Sequence, residues 1–216
     1  MAAAPERVPE AIRRGNRDVL PRERLRELAG RAGPVTMAED KILPVAGPLQ
    51  ALLPDGGLRR GSTVAVVGST SLALQLVAAA SAAGSWAAAV GLPALGAVAA
   101  AEAGVVLERL ALVPRPGEQW ATVTAALLDA LDVVLVRPPH RLRQADARKL
   151  IARARERGAV LVPLGPWEGA DMRLEVASAR WHGLGQGDGH LQGCRMEVAA
   201  TGRRAAARER RAVVWA

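Results

Sequence analysis

Gly68, Ser69, Thr70 and Ser71 follow directly on the β-branched run 63–67 and precede an apolar stretch with helical spacing. Hydroxyls and backbone N–H groups gathered at the start of a helix could hold an anion. The same residues suit, and more simply, a tight turn whose serine caps the helix. A second group, Arg137, His140, Arg141 and Arg143, follows the valine-rich run 132–136. Cations at the C-terminal end of a central strand stand where open α/β sheets bind ligands, and a nucleic-acid phosphate backbone is the ligand they would suit. A solvated basic loop would have the same composition. Trp167, flanked by Pro166 and Gly169, could stack a base or close over the end of a sheet. Metal chemistry finds little footing: His140, His182 and His190 have no cysteine pair or carboxylate at ligand spacing, so no metal site is expected.

The elements that must carry these residues alternate. Runs 63–67, 86–90, 109–113, 132–136 and 159–165 read as strands. Runs 71–83, 94–104, 118–131 and 142–158 read as helices, with shorter helical character at 48–53. Strands and helices joined by short links imply an α/β fold, a parallel sheet with helices on both faces. From residue 172 the pattern changes. Segments 172–181, 194–201 and 211–216 read as further strands around a glycine-rich turn at 183–190, a C-terminal antiparallel extension.

Composition narrows the class. The chain has 216 residues, no Phe or Tyr and five Trp, so Ala, Val and Leu must fill its core. The net charge of +8 favours an anionic partner, either nucleic acid or an acidic protein surface. Basic residues collect in segments 7–31, 137–157 and 203–211, whereas nothing between Arg60 and Glu102 is charged. Glycines, serines, threonines and Pro93 break that uncharged stretch into short pieces, so it reads as a buried strand–helix–strand unit and not as a membrane span. The single cysteine, Cys194, and the charged beginning of the chain lead to a cytoplasmic expectation. Residues 1–33 form a basic, partly helical segment in which Arg22, Arg24, Leu25 and Leu28 are candidate partner contacts. Residues 34–216 form the core.

Segment 56–68, GGLRRGSTVAVVG, followed by a helix, resembles the start of the RecA recombinase core. The resemblance continues through 84–105 and 107–136, including the GEQ motif of the helix between the third and fourth strands, and through the closing strands, so it covers roughly 42–216. It implies a RecA-like fold and a phosphate-binding loop after the first strand. Such a loop needs glycines to expose N–H groups, a lysine for the phosphate charge and a hydroxyl for Mg²⁺. Here Gly68 runs straight into Ser69, Thr70 and Ser71, the loop is about four residues shorter than that pattern, and no lysine lies between Lys41 and Lys149. Leu92 stands where the family carries the glutamate that activates water, and Arg137 follows the strand whose end the family marks with a metal-supporting aspartate. Leucine accepts no proton and a cation repels Mg²⁺. A vestigial nucleotide site without catalysis or cofactor is the expectation. The connections at 137–143 and 166–170 are also shorter than recombinase DNA-binding loops.

A RecA-like chain that has lost these groups is similar to the RecA-related accessory subunits of the actinobacterial mutasome, the ImuA-prime family. That resemblance implies a non-enzymatic adaptor in damage-induced translesion synthesis. Its partners would be a Y-family polymerase homologue and an error-prone replicative-type polymerase, with the basic surface near DNA. A divergent DNA-dependent ATPase or recombination mediator is the alternative, and a pseudo-ATPase regulator of cell division a third reading.

Overall fold

The computed structural model describes residues 41–138, 142–184, 189–203 and 207–216. Arg22, Arg24, Leu25 and Leu28 of the N-terminal segment, and His140 and Arg141, lie outside the described residues. Ten strands and four α-helices are described. The first part runs β1 (Ile42–Pro44), a 3-10 turn (Gly47–Leu52), β2 (Gly57–Arg59), β3 (Val64–Val67), α1 (Thr70–Ala82), β4 (Ala87–Val90), α2 (Ala97–Glu102) and β5 (Leu110–Val113). Then come α3 (Trp120–Leu128), β6 (Val133–Val136), α4 (Gln144–Arg157), β7 (Val160–Pro163), β8 (Met172–Leu184), β9 (Gly189–Gly202) and β10 (Arg210–Trp215).

Strands β5, β4, β6 and β7 form a parallel four-stranded sheet in that order. A second four-stranded sheet has the order β3, β8, β9, β10, with β8 parallel to β3 and β9 antiparallel to both its neighbours. Bridges Thr63–Leu161 and Val66–Leu164 join the two sheets along the β3–β7 seam. There the Leu161 N–H donates to the Ser62 carbonyl at 3.0 Å and the Gly165 N–H to the Val66 carbonyl at 2.8 Å.

The central strands are buried on both faces, and their side chains divide alternately between two cores. Val64, Val66, Ala89, Leu135 and Val162 face α1, where Leu72, Leu76 and Val77 meet them. Ala65, Ala88, Val134, Val136 and Leu161 face α3 and α4, meeting Leu127, Leu128, Leu150 and Ala154. Alanines at Ala87, Ala88 and Ala89 let both helix layers approach β4 closely, so this run is a fully buried strand despite its weak β-propensity.

Several expectations shift. The helix expected over 94–104 shrinks to α2, because Pro93 and Gly96 delay its start. The helix over 118–131 opens with a 3-10 turn at Gly117–Gln119 and ends at Leu128. The glycine-rich turn at 183–190 is narrower than expected, since pairing continues to Leu184 opposite Gly189. The β1–β2 ladder, Ile42–Arg59 to Pro44–Gly57, has no counterpart in the sequence reading. Each of its strands is three residues long and too short to show a period.

Charge enters this framework at strand ends. The Asp132 carboxylate, at the start of β6, accepts from Arg60 Nη1 at 2.7 Å and from the Trp86 N–H at 2.8 Å. Its backbone carbonyl accepts from the Val160 N–H at 2.7 Å. One residue thus joins the turn before β3 to the starts of β4, β6 and β7. The Arg60 and Asp132 side chains retain only 18% and 20% of their exposure, so the pair is poorly screened. Asp132→Ala should therefore cost about 2 kcal/mol or more of unfolding free energy in a denaturant titration. Asp55→Ala, which removes the exposed partner of Arg59, should stay within about 0.5 kcal/mol of the parent.

Candidate functional site

Parallel strands bring Gly68 after β3, Gly91 and Leu92 after β4, and Arg137 after β6 to the same end of the sheet. The connection from β3 to α1 is only Gly68 and Ser69. Gly68 has φ +98°, a backbone conformation that favours glycine, and a Cβ there would crowd Val176 Cβ on β8 at 3.2 Å. Ser69 is extended and its hydroxyl accepts from the Leu72 N–H at 3.1 Å. The serine thus caps α1 and engages one of the N–H groups an anion would need.

The neighbouring hydroxyl is engaged as well: Arg137 Nη2 donates to Thr70 Oγ1 at 3.1 Å. At Gly91 a Cβ would run into the Arg137 carbonyl, so the backbones after β4 and β6 press together. Leu92 is buried at 5% exposure. Gly68, Ser69 and Thr70, three residues of the expected vestigial nucleotide site, therefore lie together with Arg137, while the fourth, Ser71, is exposed in the first turn of α1. They meet as a capped, arginine-bridged turn, and Leu92, at the adjoining strand end, is an apolar core side chain.

Arg143 lies exposed at the N-terminal boundary of α4, where its carbonyl accepts from Asp146 and Ala147. Trp167 is a correction. Its ring is 7% exposed and meets Trp120 edge-on, with centroids 6.4 Å apart. It closes over the sheet end and offers no face to a base. The tryptophans with open rings are Trp181 and Trp215, 61% and 55% exposed, on β8 and β10. Trp181 stands between Arg180 and His182, a polar setting that suits an open ring, whereas Trp215 follows apolar Val214 and is open all the same.

Helix α4 carries the other cationic group, and its two sides differ. Arg153 and Arg157 both bond to Asp129, Arg153 Nη2 at 2.7 Å and Arg157 Nε at 3.2 Å. Hydrogen bonding to Asp129 raises the Arg153 pKa above its ordinary value, against a smaller desolvation effect. Arg148 and Arg155 point to the other side, toward Glu168 and Arg203. Among the described residues no cluster of His, Cys, Asp and Glu could hold a metal ion, and Cys194 is buried. No described helix is long and apolar enough to cross a membrane.

The family model of the MT3502 N-terminal domain matches residues 51–169. The chain belongs to this family. The match runs from the 3-10 turn through the connection after β7, so it includes the capped turn, Leu92, Arg137 and α4, and stops before the long hairpin. The chain is also similar to the uncharacterized protein Rv3395c of Mycobacterium tuberculosis (strain ATCC 25618 / H37Rv). The two are 40% identical over 168 residues, 73% of this chain and 78% of that protein. That likeness therefore extends beyond the span matched by the MT3502 N-terminal domain.

If Ser69 serves α1 as its cap, Ser69→Ala should lower stability by about 1 kcal/mol in chemical denaturation. Arg137→Ala, which removes one exposed hydrogen bond, should change it by less than about 0.5 kcal/mol. A Ser69→Ala protein as stable as its parent would show that the serine is not a structural cap.

Proposed function

We propose that this chain is a non-catalytic, RecA-like adaptor in damage-induced mutagenic DNA repair. It binds a Y-family polymerase homologue, works alongside an error-prone replicative-type polymerase, and keeps the assembly near DNA. The observation that carries the reading is the closed turn at 68–71. Its cap hydroxyl serves Leu72, its threonine is bridged by Arg137, and the adjoining strand end offers buried Leu92 in place of a proton acceptor. A protein that keeps a two-faced parallel sheet and a long closing hairpin without hydrolytic groups is suited to recognition, and recognition is what the resemblance implies. The fold alone would not license the role, since one α/β framework carries many functions.

Affinity capture of tagged protein from DNA-damaged cells of the source organism, with nuclease treatment, tests the role. Recovery of the Y-family polymerase homologue is the expected result, and capture without any polymerase would overturn the adaptor reading. The purified chain should neither hydrolyse ATP above background nor gain thermal stability from ATP with Mg²⁺, as ligand linkage would require of a nucleotide binder. A stabilising shift with turnover would instead favour the divergent DNA-dependent ATPase.

A further inference from the structure

Two hollows adjoin where α4 meets the start of β8. The first, about 430 Å³, lies between α4 residues Gln144, Arg148 and Arg155 and the wall formed by Glu168 and Arg203. The second, about 450 Å³, continues past Arg155 and Arg203 to Arg59 and Arg60, over Leu58 and Met172. Gln144, Arg148, Ala152 and Arg155 recur at helical spacing, so they line a trough of roughly 16 Å at 1.5 Å per residue.

Charge in this trough is unbalanced. Its arginines are Arg59, Arg60, Arg148, Arg155 and Arg203, five in all, against the three carboxylates Asp55, Glu168 and Asp171. Arg60 is tied to Asp132. The pairs Arg59–Asp55 at 3.3 Å and Arg155–Asp171 at 3.7 Å join exposed groups and are weak. Glu168 accepts from Gln144 at 2.8 Å. Arg148 and Arg203 make no side-chain hydrogen bond or ion pair among the described residues. The Arg203 N–H donates to the Asp171 carbonyl at 3.0 Å, which fixes its backbone at the end of β9 beside α4.

An acidic peptide would find charge here but little to anchor it, since the α4 hollow offers only Ile151, Ala152 and Gly169 between its polar walls. The second hollow differs: beneath its basic rim lie Leu53, Leu58, Val64 and Met172. A basic rim beside an apolar floor matches a strand that presents phosphates and unstacked bases together, which a duplex does not. We propose that this trough binds a single-stranded nucleic acid, with Arg148, Arg155 and Arg203 on phosphates and the apolar hollow beside Arg59 receiving a base. The trough lies along α4 and reaches the N-terminal ends of β3 and β8, away from the turn at 68–71. The inference stands independently of any polymerase partner.

Fluorescence anisotropy with the purified full chain tests it, using a labelled single strand of about 16 nucleotides. The single strand should bind more tightly than its duplex and more tightly than polyglutamate. Its affinity should fall with salt at a log–log slope near −2, about 0.7 for each of three phosphates. Arg148→Ala with Arg203→Ala should weaken binding about tenfold and lower the slope by about 1.4. Arg195→Ala with Arg211→Ala makes the same charge change on the open face of β9 and β10, and should alter affinity less than about twofold. Unchanged thermal melts would show that all variants fold. Equal losses in the two double variants, equal or tighter binding of duplex or polyglutamate, or no binding by the parent would each overturn the proposal. None of these results depends on capture of a polymerase.

Discussion

Burial of the central strands on both faces is the constraint from which the rest of this molecule follows. β4, β6 and β7 have no solvent face, so every residue along them is apolar and none can do chemistry. Among the described residues no charged group is buried, and charge stands at strand ends, in connections, on outer helix faces and on the antiparallel extension. Asp132 illustrates this placement. It sits at the N-terminal end of β6 and uses its carboxylate and backbone to tie three strand starts and the β2–β3 turn together. With the starts fixed in register, the opposite ends at Gly68, Gly91 and Arg137 are fixed as well.

That opposite end is where an open α/β sheet ordinarily offers a ligand crevice. Here the crevice is closed by ordinary structural interactions. A serine caps its own helix, an arginine bridges to the next hydroxyl, and a leucine joins the core. Each of these stabilises the fold locally, so the sheet end is held together by the residues a ligand would otherwise engage.

The antiparallel extension solves a different problem. One face of β8, β9 and β10 contributes Leu174, Cys194, Met196, Val198 and Val214 to the α1 core. The other face lies open and carries alternating ion pairs, Arg173–Glu175, Arg195–Glu197 and Arg211–Glu209. Within each pair the opposite charges offset one another. Helix α4 is one place where positive charge is left over: Asp129 and Glu156 offset Arg153 and Arg157 on one side, leaving Arg148 on the other.

The sequence by itself determined the alternation of strands and helices, the two-sided burial of 132–136, the antiparallel ending and the absence of a lysine or general base near Gly68. These are local properties, written in hydrophobic period, turn residues and residue identity. It left open whether Ser69 caps a helix or cradles an anion, and whether Trp167 stacks a base or seals a core. The Ser69 cap is local, to the Leu72 N–H three residues on, and needed only the backbone geometry to show it, whereas the place of Trp167 depends on Trp120, 47 residues away. It left the β1–β2 ladder unseen, because three-residue strands carry no period. Only the tertiary structure decided where charge collects. Arg59, Arg148, Arg155 and Arg203 belong to separate basic or turn segments, and each read alone is a solvated side chain. The β3–β8 pairing and the return of β9 bring them to one trough, because long-range strand register sets which surfaces meet.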